Sequence, residues 1–599
     1  MKELFLFISA SKTDDALQKL GEMGVVEIRN IKSSEGEAIN RTREKIARIE
    51  KAINAVESIA GNKVVEIPGW KKYQAVDPER IVDTVLSTGD YRQKIQLILT
   101  NLYDQQRWYE IWGTQVSLKD IEFLKNNGIY LHLYFMDKKS LKAFAENKKI
   151  YSLPEVNGIC PVAYISRDAD DVLDLKEEKM PELSLDEVRK TIVKKERQLQ
   201  EIDLYLADTV EHLLVLKDYL DDQKDSLKFN NALYGMGEIE GAVTYLKGYV
   251  PVDKSEEVKS AAAEFNWGYV IQEPEIPEEA PTLVKNPKWI SIINPVLEFV
   301  GVVPGYKEID ISLFFLMAFS LFFAMLIGDA GYGAVFLLFG ILLGKKLPSQ
   351  FRLLIYVLSG GTIIWGALTG TYFGIESMAK IPFFSNLIIP EIASFGADNI
   401  QFMMHLSFVI GAIHLTLAHM LRFFQFINST KAISELGWVS FVWGIFLVVE
   451  MLVLGKEMPG WGQYLFFVGL ALVALFSKED PKLVKSMLLS IANLPLSLIN
   501  GFSDVVSYVR LFAVGMATTV VAASFNEMIL PAGADITVLK MITASIALLL
   551  GHGLNIILAI MAVMVHGIRL NMLEFAGHLG IEFSGEEYNP FKLKTKIYN

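Results

Sequence analysis

The chain has a single cysteine, Cys160, in 599 residues. One thiol excludes an intrachain disulfide and a thiolate metal cluster, and fits a reducing compartment for the part that carries it. Positive charge is also short. Lys and Arg number 57 against 69 Asp and Glu, a formal net charge of −12. No basic cluster interleaved with aromatics stands out, so a nucleic-acid partner is set aside. Nucleotide and hydrolase motifs are missing too. The glycine run Gly340 to Lys346, GILLGKK, lacks the phosphate-loop spacing and its hydroxyl residue, and no HExxH, GxSxG or paired-cysteine metal spacing occurs. Any ATP chemistry therefore belongs to a partner. The opening MKELFLFISASKTDD has an apolar stretch too short for a secretory signal and carries Glu3; it reads as a first strand.

What the chain has is apolar sequence, unevenly placed. Hydrophobic residues make up 51% and the mean hydropathy is +0.31, too apolar for an ordinary soluble protein and too charged for a purely membrane one. Up to about Asp310 the chain is dense in Lys, Glu, Asp and Arg; from Ile311 to Gly580 long apolar runs are broken by short polar loops. About eight spans can be delimited, near 312–328, 331–344, 353–375, 402–422, 438–455, 462–477, 494–529 and 538–579, the second and sixth being short for a crossing. Loop charge orients them, because basic residues concentrate on the cytoplasmic side. Lys345, Lys346 and Arg352 follow the second span, Arg422 and Lys431 the fourth, Lys478, Lys482 and Lys485 the sixth, and Lys592, Lys594 and Lys596 the last. The opposite links hold Glu376, Glu391, Asp398, Glu527 and Asp535 against Lys380. Both termini are expected in the cytoplasm.

The soluble half shows helical apolar spacing over Glu35–Ile59, Asp77–Trp112 and Leu185–Phe229, the last with a mixed 3- and 4-residue stripe that suggests antiparallel coiled-coil packing. Three strand-helix-strand patterns lie between and around these stretches, beginning at Lys2, Ile129 and Gly241. The expected fold is an α-helical polytopic membrane protein with an elongated N-terminal cytoplasmic arm, α/β plus antiparallel coiled coil. The arm would span 1–305, the membrane domain 306–582 and a cytoplasmic tail 583–599.

Arg510 and Arg569 sit within the last two apolar spans. An arginine near the bilayer centre costs about 2.5–3.5 kcal/mol on insertion scales, so it normally faces protein or water and marks an ion or substrate pathway. The alternatives are a buried clamp between helices for Arg510 and snorkelling to the interface for Arg569. At 100° per residue, Asn500, Asp504, Ser507, Arg510 and Thr518 fall in one arc of about 120°, and His552, Asn555, His566 and Arg569 in one of about 100°, with Ala559 and Ala562 between. His552 and His566 are proton-relay or helix-bonding candidates; His405, His414 and His419 are expected to make packing hydrogen bonds. Glu450 is an intramembrane acid with no evident partner in sequence, read as a channel or lipid-interface residue.

These segments resemble the membrane stator subunit of V/A-type rotary ATPases, subunit a in eukaryotes and subunit I in prokaryotes. FFAMLIGDAGYG (Phe322–Gly333), SYVRLFAVGMA (Ser507–Ala517), GHGLN with VHGIRLNMLEF (Gly551–Phe575), LKGYVPVDK (Leu246–Lys254) and YNPF (Tyr588–Phe591) match in order along the chain. The resemblance implies a non-catalytic, ion-translocating subunit in which Arg510 and Arg569 face a proteolipid c/K ring. Asn500, Asp504, Ser507, His566 and Glu574, with His552 and Asn555, would line half-channels or orient the arginines. It implies no bound cofactor or metal, H⁺ or Na⁺ as the translocated ion, E/G-type peripheral stalk and C/d-type central stalk partners, and a multi-pass location in a prokaryotic plasma membrane. Two departures stand out: Thr518 replaces a histidine eight residues after the first arginine, and Ala559 replaces an acid ten residues before the second. The rival reading is a secondary ion-coupled transporter with a cytoplasmic regulatory domain; it predicts an internal repeat, and none is evident between spans one to four and five to eight. A purely structural membrane anchor would leave both arginines unexplained.

Overall fold

The computed structural model describes the chain except for residues 34–35, 61–76, 138–140, 142–149, 156–159, 345, 397–398, 477–494, 497, 530–537 and 595–599. Lys345, Asp398, Lys478, Lys482, Lys485, Asp535 and Lys596, used above to orient the loops, lie outside the described residues, as does most of the helix expected between the strands near 130 and 150. Residues 5–248, 256–270 and 590–599 form one compact unit; residues 1–4, 249–255 and 271–589 form the other. Ile292 and Ile293 are buried in the same core as Phe315, Leu354 and Leu358, so this part of the proline-bearing linker packs with the apolar helices.

In the first unit, the polar stretches with helical spacing become four helices, Glu37–Ala60, Pro78–Trp112, Leu185–Asp208 and Leu213–Gly235. They share one core that includes Val56, Val85, Leu99, Val188, Leu206 and Leu216, while ion pairs such as Lys224–Glu50 (2.9 Å) and Arg92–Asp203 (2.6 Å) lace the exposed faces. Their starts are written locally. Pro78 occupies the first turn and the Asp77 carboxylate accepts from Glu79 N at 3.0 Å; at the third helix, Ser184 N and Oγ both donate to Glu187, at 3.1 and 2.7 Å. The run expected as one helix from Leu185 to Phe229 is broken by a 3₁₀ turn over Thr209–His212. There Thr209 Oγ1 donates to Leu206 O at 2.5 Å, a side-chain bond that competes for a ladder carbonyl.

The three expected α/β patterns give two sheets. The strands Lys2–Ser9 and Glu27–Arg29 join Val243–Val250 and Gly268–Gln272 in one sheet, with Gly237–Ile239 added at Val243–Val250. In chain positions the hydrogen-bonded order runs from Glu27–Arg29 to Val243–Val250, Lys2–Ser9 and Gly268–Gln272, so the first and third patterns are interleaved halves of one structure. The other sheet is antiparallel, with Tyr130 opposite Ser166 and Met136 opposite Cys160, and Ile150–Ser152 on the far side of the central strand.

In the second unit, Ser349–Thr369, Ile400–Gln425, Lys431–Leu454, Leu498–Ile529 and Val538–Leu579 are long and apolar enough to cross a membrane; Ser312–Ile327, Ala330–Leu343 and Gly462–Phe476 are shorter apolar helices. All eight overlap the spans read from the sequence, although the third ends at Thr369 rather than near 375, and Ser291–Val300 is a further short apolar helix outside them. The turn between the first two is held by Asp329, which is buried. Its Oδ1 accepts from Gly331, Tyr332 and Phe373 N at 2.7, 3.2 and 2.9 Å, and Oδ2 from Gly374 N at 2.9 Å. One carboxylate thus caps the helix Ala330–Leu343 and pins the loop that comes after Ser349–Thr369. Two glycines allow close approach: a Cβ at Gly515 would lie 2.3 Å from Met325 O, and one at Gly374, in the loop after Ser349–Thr369 at φ +67°, would lie 2.6 Å from Ala522 Cβ.

These contacts set two expected outcomes. Asp329→Ala orphans four backbone donors, and the three buried ones cost about 1–3 kcal/mol each; thermal unfolding of the detergent-solubilised protein should show a clear fall in Tm, and an unchanged Tm would exclude the clamp. Hydrogen bonds from Ser184, side chain first and backbone second, hold Glu187 below the ordinary carboxylate range. A lowered folded pKa stabilises above the unfolded value and is lost as pH falls through the folded one. Glu187→Gln should therefore speed amide exchange at the start of the helix Leu185–Asp208 at neutral pH, and the difference from the parent should close in acid.

Candidate functional site

The final helix does not keep a uniform 100° per residue. Val563–Gly567 and Leu570–Phe575 are π-helical turns, each of which takes up extra residues and rotates the helix beyond it. The preceding helix is also interrupted, at Tyr508; regular helix resumes at Val509. The arcs expected for straight helices therefore do not hold. Thr518 is buried, its hydroxyl 2.7 Å from Gly515 O and 3.2 Å from Ile327 O, facing Ser312–Ile327 rather than sharing a surface with Arg510.

The rotation brings Glu574 between the two arginines. Arg510 Nη2 donates to Glu574 Oε1 at 2.7 Å and Arg510 Nε to Ser507 O at 2.8 Å; Arg569 Nε stands 3.7 Å from the same Glu574 oxygen. The side chain of Glu574 is 4% exposed, that of Arg510 21% and that of Arg569 55%. Two guanidiniums and one carboxylate leave one surplus positive charge, and guanidinium stays protonated in any protein setting. Arg569 stands on an exposed face with Met561, Val565 and Leu573, and a cation on an apolar membrane face demands a counter-charge from elsewhere. Among the described residues, Glu574 Oε2 and His566 Nδ1 are buried without a hydrogen-bond partner.

The other candidates divide. Asp504 lies one helical segment before Arg510 and its Oδ2 meets His578 Nε2 at 3.0 Å; Ser507 Oγ donates to Asp504 O at 2.6 Å; Asn500 is exposed. His552 and Asn555 point inward instead. His552 Nδ1 meets Tyr332 Oη at 2.8 Å and its Nε2 meets Asn526 Oδ1 at 3.1 Å, while Asn555 Nδ2 donates to Tyr332 Oη at 3.0 Å and Thr518 O at 2.9 Å. With Ala559 fully buried, that part of the helix is an interior polar knot, separate from the Arg569 surface. Glu450, which the sequence left without a partner, bonds His405 and Lys456. Sequence reasoning missed His578, Tyr332 and Asn526 as partners. A histidine and an acid on helices far apart in sequence give no periodic signal, although GDAGYG did mark Tyr332.

Comparisons with known proteins are consistent along the whole chain. V-type ATP synthase subunit I of Borreliella burgdorferi is 28% identical over 622 residues, covering 100% of this chain and 99% of its own. V-type ATP synthase subunit I 1 of Treponema pallidum is 27% identical over 633 residues, covering 99% of each. Over nearly its whole length, the chain is homologous to V/A-type ATP synthase subunit I. The A-type subunit I of Methanocaldococcus jannaschii is 28% identical over a shorter stretch, 58% of this chain and 55% of its own. No protein-family model matches. A crystal structure of the cytoplasmic N-terminal domain of subunit I, homolog of subunit a, of V-ATPase aligns with 45% of this chain and 100% of its own, at 11% identity and a TM-score of 0.24, too low to carry a shared fold.

Within this subunit I homologue, Glu574 should be the stability-critical member of the triad. Glu574→Ala leaves the part-buried Arg510 and the exposed Arg569 without their shared carboxylate, and breaking a buried pair from one side costs about 3–5 kcal/mol. Thermal unfolding of the purified chain should show a larger Tm loss for Glu574→Ala than for Arg569→Ala, because Arg569 keeps access to solvent; the reverse order would mean that Glu574 is not the shared counter-ion.

Proposed function

We propose that this protein is the membrane stator subunit of a V/A-type rotary ATPase, in which Arg510 and Arg569 meet the carboxylates of a proteolipid c/K ring and keep two aqueous half-channels apart. The observation that carries the reading is the surplus guanidinium charge of Arg510, Glu574 and Arg569, with Arg569 on an otherwise apolar exposed face. A ring carboxylate arriving there would find an ionised partner without a proton donor, since arginine does not give up its own. It would release its ion to one half-channel and rebind from the other, and the fixed charge would block direct leakage. On this reading, Asn500, Asp504, Ser507, His566 and Glu574 are the lining or orienting groups, a role supported for Ser507 and Glu574 by their bonds to Arg510.

On the same reading, the chain binds no cofactor of its own, and ATP is turned over in partner subunits. The coiled-coil arm with its two sheets binds E/G-type peripheral stalks and resists torque, and a C/d-type subunit is the central-stalk contact. The chain sits in a prokaryotic plasma membrane with both termini in the cytoplasm, consistent with Lys346, Arg352, Arg422 and Lys431 in the even-numbered links.

In vesicles containing the assembled complex, Arg510→Gln should leave subunit composition intact and abolish ATP-driven ion transport. Undiminished coupled transport would remove Arg510 from the gate, and loss of the complex itself would make it a helix clamp.

A further inference from the structure

Four titratable side chains from four helical segments join end to end, the last of them in the helical segment that leads to Arg510. Glu435 Oε2 lies 2.8 Å from His419 Nδ1, His419 Nε2 lies 2.9 Å from His578 Nδ1, and His578 Nε2 lies 3.0 Å from Asp504 Oδ2. The Glu435 half of the chain is dry: the His419 side chain is 3% exposed and that of Glu435 6%. The other half is more open, with His578 13% and Asp504 29% exposed, Asp504 lying six residues before Arg510 in the sequence. At the other end, Arg422, itself part-exposed, brings Nε to 3.2 Å from Glu435 Oε1 beside the 426–430 turn. The rings are held in register. His419 stacks on Trp438 with centroids 5.4 Å apart and planes 2° apart, and Arg422 Nη1 donates to His578 O at 3.2 Å.

Counting hydrogens shows what this arrangement can carry. Each contact needs one hydrogen between its heavy atoms, so three are required. Two neutral imidazoles own one N–H each, and two ionised carboxylates own none. The four groups therefore hold one proton beyond that inventory. With the proton on Glu435, all three hydrogen bonds point toward Asp504; with it on Asp504, all three point toward Glu435. Moving between these states shifts each hydrogen across its own bond, with no heavy atom displaced and no net charge made. After release from Asp504 both imidazoles are left in the opposite tautomer, and a ring turn resets them for the next proton. A bare Na⁺ has no such route. It prefers several oxygen ligands, whereas the middle of this chain is a nitrogen-to-nitrogen contact of 2.9 Å.

We infer that the Glu435–His419–His578–Asp504 chain is a proton wire between the 426–430 turn and the surface beside Arg510, and that the ion this protein moves is H⁺. The inference rests on the stator reading above and adds the ion and the residues of one half-channel to it. His419 and His578 are conducting groups rather than the packing histidine expected for His419 and a position the sequence did not mark at all. The wire stays clear of the His552–Tyr332–Asn555 knot and of the His405–Glu450–Lys456 cluster, with which it shares no hydrogen bond.

The test uses the assembled complex in sealed vesicles, with a pH-sensitive dye and ²²Na⁺ uptake read in parallel during ATP hydrolysis. The parent should acidify the lumen without taking up ²²Na⁺. His419→Gln and Glu435→Gln should each cut proton transport by about 100-fold, in the range that loss of a proton-transfer group costs, with subunit composition unchanged. In His419→Gly, added imidazole should restore transport, which a purely structural histidine would not allow. ATP-driven ²²Na⁺ uptake by the parent, or parental proton transport in His419→Gln, would overturn the wire, as would a His419→Gly complex that assembles and is not rescued. Should His419→Gly fail to assemble, the solvent isotope effect of Glu435→Gln against the parent decides in its place, an unchanged effect overturning the wire. Arg510→Gln separates the two readings: loss of transport there with intact transport in His419→Gln keeps the stator and removes the wire.

Discussion

The membrane unit is organised around the need to neutralise guanidinium charge where water is scarce. Glu574 is the one acidic side chain described within reach of both arginines, and it is nearly inaccessible to solvent. Its position depends on two π-helical turns in the last helix, which give up regular hydrogen bonding to rotate Glu574 toward Arg510 while Arg569 stays at the surface. A straight helix would separate these groups. The irregular backbone and the uncompensated charge are thus two sides of one arrangement, as is common where helices carry function.

That arrangement is held from behind by polar contacts that leave no buried donor of the first turn to chance. Asp329 gathers two backbone N–H groups from the first turn of the helix Ala330–Leu343 and two from the loop at 373–374, and Asn526, whose Nδ2 donates to Phe373 O at 2.7 Å, ties the same loop to the Arg510 helix. Gly515 then lets that helix sit directly on the Met325 carbonyl. In a lipid setting, where apolar burial gives little preference for one helix neighbour over another, close backbone approach and satisfied polar groups choose the packing. Tyr332 extends this network to His552 and Asn555, so the inner face of the last helix is committed to structure while Met561, Val565 and Leu573 stay exposed.

The arm obeys different rules. Its helices bury Val, Leu and Ile in a shared core and leave Lys, Glu and Asp to pair across exposed faces, where each pair contributes little and the apolar seam dominates. Its larger sheet draws strands from positions 2–29 and 237–272. The helices lie in the intervening sequence, which is why the arm reads as separate pieces along the chain and folds as one.

The sequence by itself determined the division into charged and apolar halves, the eight apolar helices, the helix starts at Pro78 and Leu185, and the two arginines, because composition, capping and the cost of a membrane charge are local properties. It also carried the family resemblance, since short motifs keep their order. What only the tertiary structure decided was partnership. That Glu450 answers His405, that Thr518 and Asn555 turn inward, that Glu574 reaches Arg510, and that His419 and His578 lie in hydrogen-bonding contact between Glu435 and Asp504 all depend on separations of tens to hundreds of residues. The helical arithmetic failed where the helices are interrupted or π-helical, because a periodicity argument assumes one turn geometry throughout. The energetic reason for that departure is itself a contact between distant residues.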